Sequence, residues 1–414
     1  MSKEQWVAKS NEIRIPNQMF IDGEFVSAVS GATFDAISPI DQRVLANVAA
    51  GDSHDVDKAV TAAKRTFENG VWRDLNPRDK KAIMLKWADL IREHYEEIAL
   101  LETLEVGKPI GDTSGYDALA VARVIQWYGE AIDKRYDEIA PAPTNSLAMI
   151  TREPLGVIGA IVPWNYPIVI ASWKIGPALA MGNSMVLKPS EESSLAILKI
   201  AQLGIEAGIP KGVFNVVTGL GDQAGQALAR HMDVAKIAFT GSGPVGKKML
   251  QYAAESNLKQ VALELGGKSP QVVLDDVVDL DKAASTIAWG IYYNSGQTCN
   301  AGSRVIVHES IKAALTAKLA EFVGNFKVGD PLDPTTQMGP VVSLKQRDRV
   351  NSYLELVGAS GEKFLYGGKK PTGNDCYFEP TLIDGAKHDS RLVQEEIFGP
   401  VIVVETFKTD AEAL

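Results

Sequence analysis

The chain has 414 residues, of which 45% are hydrophobic and 23% charged, enough to bury more than one core, so two or three domains are expected. Its net charge of -10 argues against a nucleic-acid partner, which asks for a clustered basic surface, and against an anionic membrane. No apolar signal core opens the chain, its apolar runs are broken by Pro, Trp or Gly short of a membrane span, and two cysteines are too few for a disulfide framework, so a cytoplasmic protein is expected.

From 19 to 50 the pattern is short β-like runs, with an Asp22-Gly23 turn and punctuation at Gly31, Pro39 and Asp41, which reads as an N-terminal β lead-in. Ser53 is the expected N-cap of a helix whose apolar residues Val56, Ala59, Val60, Ala63 and Phe67 recur at helical spacing and which ends near Gly70. Further helices are expected over about 77–106 and 114–137, with Trp87, Trp127 and Tyr128 lining core or groove. The segment 139–154 carries Pro141, Pro143 and Pro154 around an extended run and reads as a projecting ribbon. From Leu155, strands at 155–163, 183–189, 212–219, 234–241 and 260–267 alternate with helices at 168–181, 193–207, 223–231 and 245–254. Such alternation means an α/β, doubly wound parallel sheet with ligands at the carboxyl ends of its strands. Pro163-Trp164-Asn165, Lys188 to Glu191, Thr218-Gly219, Thr240-Gly241-Ser242 and Glu264 should therefore share one rim. A second α/β region follows, with a strand at 271–276, a helix at 280–293, a loop around Cys299, a strand at 303–309 and a helix at 311–326. A Gly/Pro-rich passage, another helix and an apolar strand segment close the chain.

The stretch 286–307 organises the chemistry. Cys299 is flanked by Ser295, Gly296, Gln297, Thr298, Asn300, Ala301 and Gly302, small and polar residues suited to a tight loop that presents a thiol. Only Cys376 is available as a second cysteine, far away, so a CxxC metal knuckle and a CxxC redox pair are both excluded. A lone cysteine is more often a small buried hydrophobe than a nucleophile. Glu264, however, ends a strand just before Gly266 and Gly267, where backbone can approach a ligand closely, and is a candidate base. The five histidines are isolated, without an HxxxH pair, so metal catalysis is unsupported, and no histidine partner suggests a cysteine protease.

Six blocks in order, Pro163-Trp164-Asn165-Tyr166-Pro167, Lys188-Pro189-Ser190-Glu191, Phe239-Thr240-Gly241-Ser242, Glu264 to Pro270, Gly296 to Arg304, and Glu395 to Pro400, resemble the NAD(P)-dependent aldehyde dehydrogenase superfamily. The resemblance implies a Rossmann-type cofactor domain (1–135 and 155–266), an oligomerisation ribbon (136–154) and a second α/β catalytic domain (267–414). It implies that Cys299 attacks an aldehyde as thiolate, that Asn165 and the Cys299 backbone N–H hold the oxyanion, and that Glu264 activates the hydrolytic water. Lys188 and Glu191 would hold the adenine ribose, Glu396 and Phe398 the nicotinamide ribose end, with Trp164, Ser190, Gly241, Ser242 and Gly246 completing the cofactor wall. The run Gly241-Ser242-Gly243-Pro244-Val245-Gly246 matches GxGxxG, but it follows a late strand and is read as a helix N-terminus that receives the pyrophosphate. NAD is the expected cofactor, with NADP as the alternative. The run REPLGVIGAIVPWNYP with KPSE and QWYGEAIDK is most similar to γ-glutamyl-γ-aminobutyraldehyde and aminoaldehyde dehydrogenases; betaine or general aliphatic aldehyde enzymes, or an inactive cofactor-binding relative, are the alternatives. Family members are homodimers or homotetramers and continue past the position of Leu414, so irregular self-association and weak NAD binding are expected of these 414 residues.

Overall fold

The computed structural model describes residues 1–373 and 375–414. Its strands in chain order are β1 (Met19–Ile21), β2 (Glu24–Val26), β3 (Thr33–Ile37), β4 (Val44–Ala49), β5 (Glu138–Ala140), β6 (Ala148–Ile150), β7 (Val157–Ile161) and β8 (Ser184–Lys188). There follow β9 (Phe214–Val216), β10 (Val234–Thr240), β11 (Gln260–Glu264), β12 (Pro270–Val273), β13 (Arg304–His308), β14 (Lys363–Tyr366), β15 (Thr381–Asp384) and β16 (Val401–Phe407).

The first sheet has the order β11-β10-β7-β8-β9-β1-β2. Five of its strands are parallel; β1 and β2, the N-terminal lead-in, extend it in antiparallel fashion. Every residue of β7 and β8 is buried, as expected of strands covered by the helices Pro167–Ala180 and Leu195–Ala207 on one face and by Ser53–Glu68 on the other. Strands later in the chain lie on both sides of β7, with β8 on one flank and β10 on the other, so the winding reverses there. This reversal sets the turn after β7, Pro163 to Asn165, beside the turn after β10, Gly241 and Ser242, and opens a crevice between them. The second sheet, β12-β13-β16-β15-β14, is parallel except for β14, and its own core includes Tyr292, Leu319, Leu382 and Ile402. β5 and β6 form a separate exposed ribbon, with Ile139 77% and Met149 60% accessible.

Several local expectations need correction. Asp52, not Ser53, caps the helix Ser53–Glu68: its carboxylate accepts from the His54 N–H at 2.8 Å, and Asp55 reciprocates to the Asp52 N–H, so the box closes on Asp52. The stretch 77–106 is two helices, Pro77–Glu93 and Tyr95–Val106, because His94 leaves helical geometry (φ -101°, ψ 16°). The first is half-buried and the second is wrapped on all sides from Ile98 onward, so the two need different directions. The next helix begins earlier, at Ile110–Asp112, and passes through a π turn, Thr113–Asp117, before Ala118–Ala131. Trp87 is core, its indole N–H donating to the Ile200 carbonyl at 3.0 Å, and Tyr128 packs on Gly176, whereas Trp127 is 62% exposed. Thr218 turns inward, donating to the Ala49 carbonyl at 2.6 Å, and lies away from the ligand rim.

Candidate active site

The helix Leu280–Tyr292 delivers the chain into a loop that few sequences tolerate. Asn294, Ser295 and Gly296 have φ of 49°, 55° and 73°, three successive residues in the left-handed region. Asn and Gly enter that region readily, while for Ser it costs about 1–2 kcal/mol. The surroundings hold the strain. The Ser295 hydroxyl donates to the Gly339 carbonyl at 2.8 Å, the Asn294 amide donates to the Asn165 carbonyl at 2.9 Å, and the Gln297 side chain donates to the Asn294 carbonyl and accepts from the Val342 N–H. A Cβ on Gly296 would stand 2.0 Å from the Gly399 carbonyl oxygen, so this loop packs backbone against backbone there. Residues 294 to 297 are buried; Cys299, two residues on, is exposed.

The turn after β7 faces this loop. Asn165, only 3% exposed, donates one amide hydrogen to the Gln297 carbonyl at 2.9 Å and retains a second. The Tyr166 hydroxyl lies 3.0 Å from Thr298 Oγ1, and Trp164 meets the Phe398 ring edge-on at 5.3 Å. Phe398 itself has φ 63°, and its carbonyl accepts from Gln346 at 2.7 Å. The Glu396 carboxylate accepts from the Gly267 N–H at 3.2 Å; a Cβ on Gly266 would stand 2.2 Å from it, so glycine is what lets the carboxylate in. Burial raises the Glu396 pKa, and the Gly267 N–H opposes the shift.

These residues line a cleft of about 790 Å³. Its walls include Trp164, Asn165, Ser190, Glu191, Gly241, Ser242, Cys299, Glu396 and Phe398, so nine of the residues grouped from the sequence meet here. Three do not line it. Lys188, 2% exposed, lies behind Glu191 with its ammonium 3.3 Å from that carboxylate, and burial lowers its pKa against Glu191's pull. Gly246 is buried one turn into the helix Gly243–Ala254, against Leu265. Glu264 is exposed at the end of edge strand β11, its carbonyl accepting from the Gly241 N–H at 3.0 Å. The cleft suits a dinucleotide: Ser242 is an N-cap whose hydroxyl makes no capping bond, and a Cβ on Gly243 would meet nothing within 4 Å, so an anion has open access to the first-turn amides.

Lys174 was not among the residues singled out from the sequence, although it is the only charged residue in the apolar helix Pro167–Ala180, which is the signal that marks it. Its ammonium donates to the Thr240 hydroxyl at 2.8 Å, and burial pulls its pKa down to about 8 against the field of Glu264. Arg349 and Gln346, which clamp the Glu396 and Phe398 carbonyls from the helix Leu344–Leu354, carry no local signal at all. Among the described residues no three His, Cys, Asp or Glu side chains gather as a metal site.

A profile described as "Aldehyde dehydrogenase family" matches residues 25–414. The "NADP/NAD-dependent aldehyde dehydrogenase PuuC" of Escherichia coli is 47% identical over 409 residues, covering 99% of this chain and 82% of its own length. The "Aminoacetaldehyde dehydrogenase" of Pseudomonas aeruginosa is 44% identical over 414 residues, covering 100% of this chain and 83% of its own. An indole-3-acetaldehyde dehydrogenase crystallised with NAD+ superposes with a TM-score of 0.97 at 48% identity, and the γ-glutamyl-γ-aminobutyraldehyde dehydrogenase of Burkholderia cenocepacia with 0.97 at 50%. Each superposition covers 100% of this chain and 84% of the other.

Proposed function

The chain belongs to the aldehyde dehydrogenase family, and from that premise we propose that it oxidises an aldehyde to the carboxylic acid at Cys299, with NAD as cofactor. The Cys299 thiolate adds to the carbonyl carbon. The developing oxyanion takes the second N–H of Asn165 and the Cys299 backbone N–H; one such donor is worth on the order of 3 kcal/mol. A bound NAD would supply the acceptor for the hydride lost as the carbonyl re-forms, leaving a thioester on Cys299. Glu264 removes a proton from the water that attacks the thioester, releasing acid and thiolate. Trp164, Ser190, Glu191, Gly241, Ser242, Glu396 and Phe398 hold the cofactor, with Lys188 and Gly246 setting Glu191 and the helix turn from behind.

The observation that carries this reading is the exposed thiol of Cys299 at the tip of a buried left-handed loop, in one cleft with Asn165 and the amides beyond Ser242. The favoured substrate is an aminoaldehyde of polyamine breakdown, supported by likeness to the aminoacetaldehyde and γ-glutamyl-γ-aminobutyraldehyde enzymes; betaine and aliphatic aldehydes are the alternatives. We further read 1–135 with 155–266 as the cofactor domain, 267–414 as the catalytic domain and 136–154 as an oligomerisation ribbon, because neither large sheet crosses these bounds. Homo-oligomers and a cytoplasmic setting, which keeps Cys299 reduced, complete the proposal. No helix among the described residues is long and apolar enough to cross a membrane. NADH formation across a panel of aminoaldehydes, betaine aldehyde and aliphatic aldehydes tests it: turnover highest with aminoaldehydes is expected, and no NADH with any of them would refute it.

A further inference from the structure

A buried ionic cluster lies beneath the Cys299 loop and takes no part in the chemistry above. The Lys108 ammonium stands 2.5 Å from Asp117 Oδ2 and 3.6 Å from Glu102 Oε1, and all three side chains are fully inaccessible. Burying three ionisable groups is expensive, and apolar residues of similar volume would commonly serve stability as well or better. Burial, with Asp117 beside it, pushes the Glu102 pKa well above the usual carboxylate range, against the pull of the Lys108 ammonium. Although burial opposes it, the pull of Asp117 and Glu102 keeps the Lys108 ammonium charged.

The cation faces an aromatic ring. Lys108 Nζ lies 3.8 Å from the centroid of Tyr166, close enough for a desolvated cation–π contact. Tyr166 stacks on Tyr293 at 6.4 Å, and its hydroxyl reaches Thr298 Oγ1 at 3.0 Å. Asn294, Ser295 and Gln297 are each tied to other parts of the protein through their own side chains. Thr298, the residue before the thiol, has only Tyr166 as a side-chain hydrogen-bond partner among the described residues.

We propose that Lys108 is a positioning residue for Cys299: its ammonium, fixed by Asp117, holds the Tyr166 ring so that the phenol grips Thr298 and sets the last backbone unit before the thiol. The proposal rests on Cys299 being the nucleophile, but its test does not require turnover. Alkylation by iodoacetamide reports Cys299 alone, since Cys376 is buried and its thiol is pushed up to about 11. In the double variant Lys108→Met/Asp117→Asn, which leaves no orphan charge of this pair, alkylation should slow about tenfold. Tyr166→Leu should slow it similarly, and the three changes together no further, because they cut one chain of contacts. In steady state kcat should fall with KM for NAD unchanged. An alkylation rate within about twofold of wild type in the folded double variant, or losses that multiply, would overturn the proposal. If circular dichroism shows that the double variant does not fold, Thr298→Val cuts the same chain at its exposed end: tenfold slowing supports the proposal and an unchanged rate defeats it. Rapid alkylation in a wild-type chain that reduces no NAD would sink the dehydrogenase reading and leave this one intact.

Discussion

Replacing Gly296 with alanine puts the most direct load on the loop that carries the thiol. The added Cβ would lie 2.0 Å from the Gly399 oxygen, 2.3 Å from its carbonyl carbon and 2.8 Å from Pro400 N, all backbone atoms that no rotamer change can clear. Real Cβ contacts stop at 3.0 Å, so loop and partner must separate by 1.0 Å, the difference between 3.0 and 2.0 Å. Alanine also pays for φ 73°, about 1–2 kcal/mol, and the forced separation adds about 1–3 kcal/mol. A shift of this size at the nucleophile costs roughly 100-fold in turnover. The expected result is a lowered thermal midpoint and a kcat reduced about 100-fold in NADH formation, with NAD affinity nearly kept. Gly115→Ala is the control, since a Cβ there meets nothing within 4 Å and φ is not positive, and it should stay within about 0.5 kcal/mol of wild type. A Gly296→Ala enzyme with wild-type kcat and midpoint would refute the reasoning.

Cys299→Ala should abolish NADH formation and leave NAD binding by calorimetry nearly unchanged; substantial residual turnover would remove Cys299 from the mechanism. Glu264→Gln should give a pre-steady-state burst of NADH and then stall as the thioester, whereas a missing burst would assign Glu264 another task. The Glu191 carboxylate should favour NAD over NADP, and Glu191→Gln should narrow the ratio of kcat/KM values roughly tenfold; a wild-type preference for NADP would defeat the argument. Lys174 holds a pKa of about 8 in the fold against 10.5 when free, so between these values the unfolded chain binds more protons and stability rises with pH. Lys174→Met should therefore flatten the rise in denaturation midpoint between pH 8 and 10.5, and an unchanged profile would show that burial does not govern this amine.

The βα alternation could be read because β7 and β8 are short apolar runs bounded by Gly and Pro, and from it the common rim for Asn165, Glu191 and Ser242 followed by topology alone. The Cys299 loop was legible from its small polar residues. What could not be read is set by long-range contact: nothing near Gly296 announces Gly399, and nothing in Gly107-Lys108-Pro109 announces a cation under Tyr166. His94 splits a helix without any Pro or Gly to mark it. Glu264 was legible as a strand end, but its place outside the cleft, on edge strand β11, depends on strand order, which periodicity does not encode.

The abutment of Gly296 on Gly399 also orders events during synthesis. The thiol loop cannot settle until a residue 100 positions later, from 299 to 399, has left the ribosome, a delay of about 5–20 s at ordinary elongation rates. Through that interval the Asn165 turn and the first sheet can already be folded, while the Cys299 segment lacks the backbone it packs against. The loop that presents this thiol is therefore assembled last, once the backbone at Gly399 docks against it.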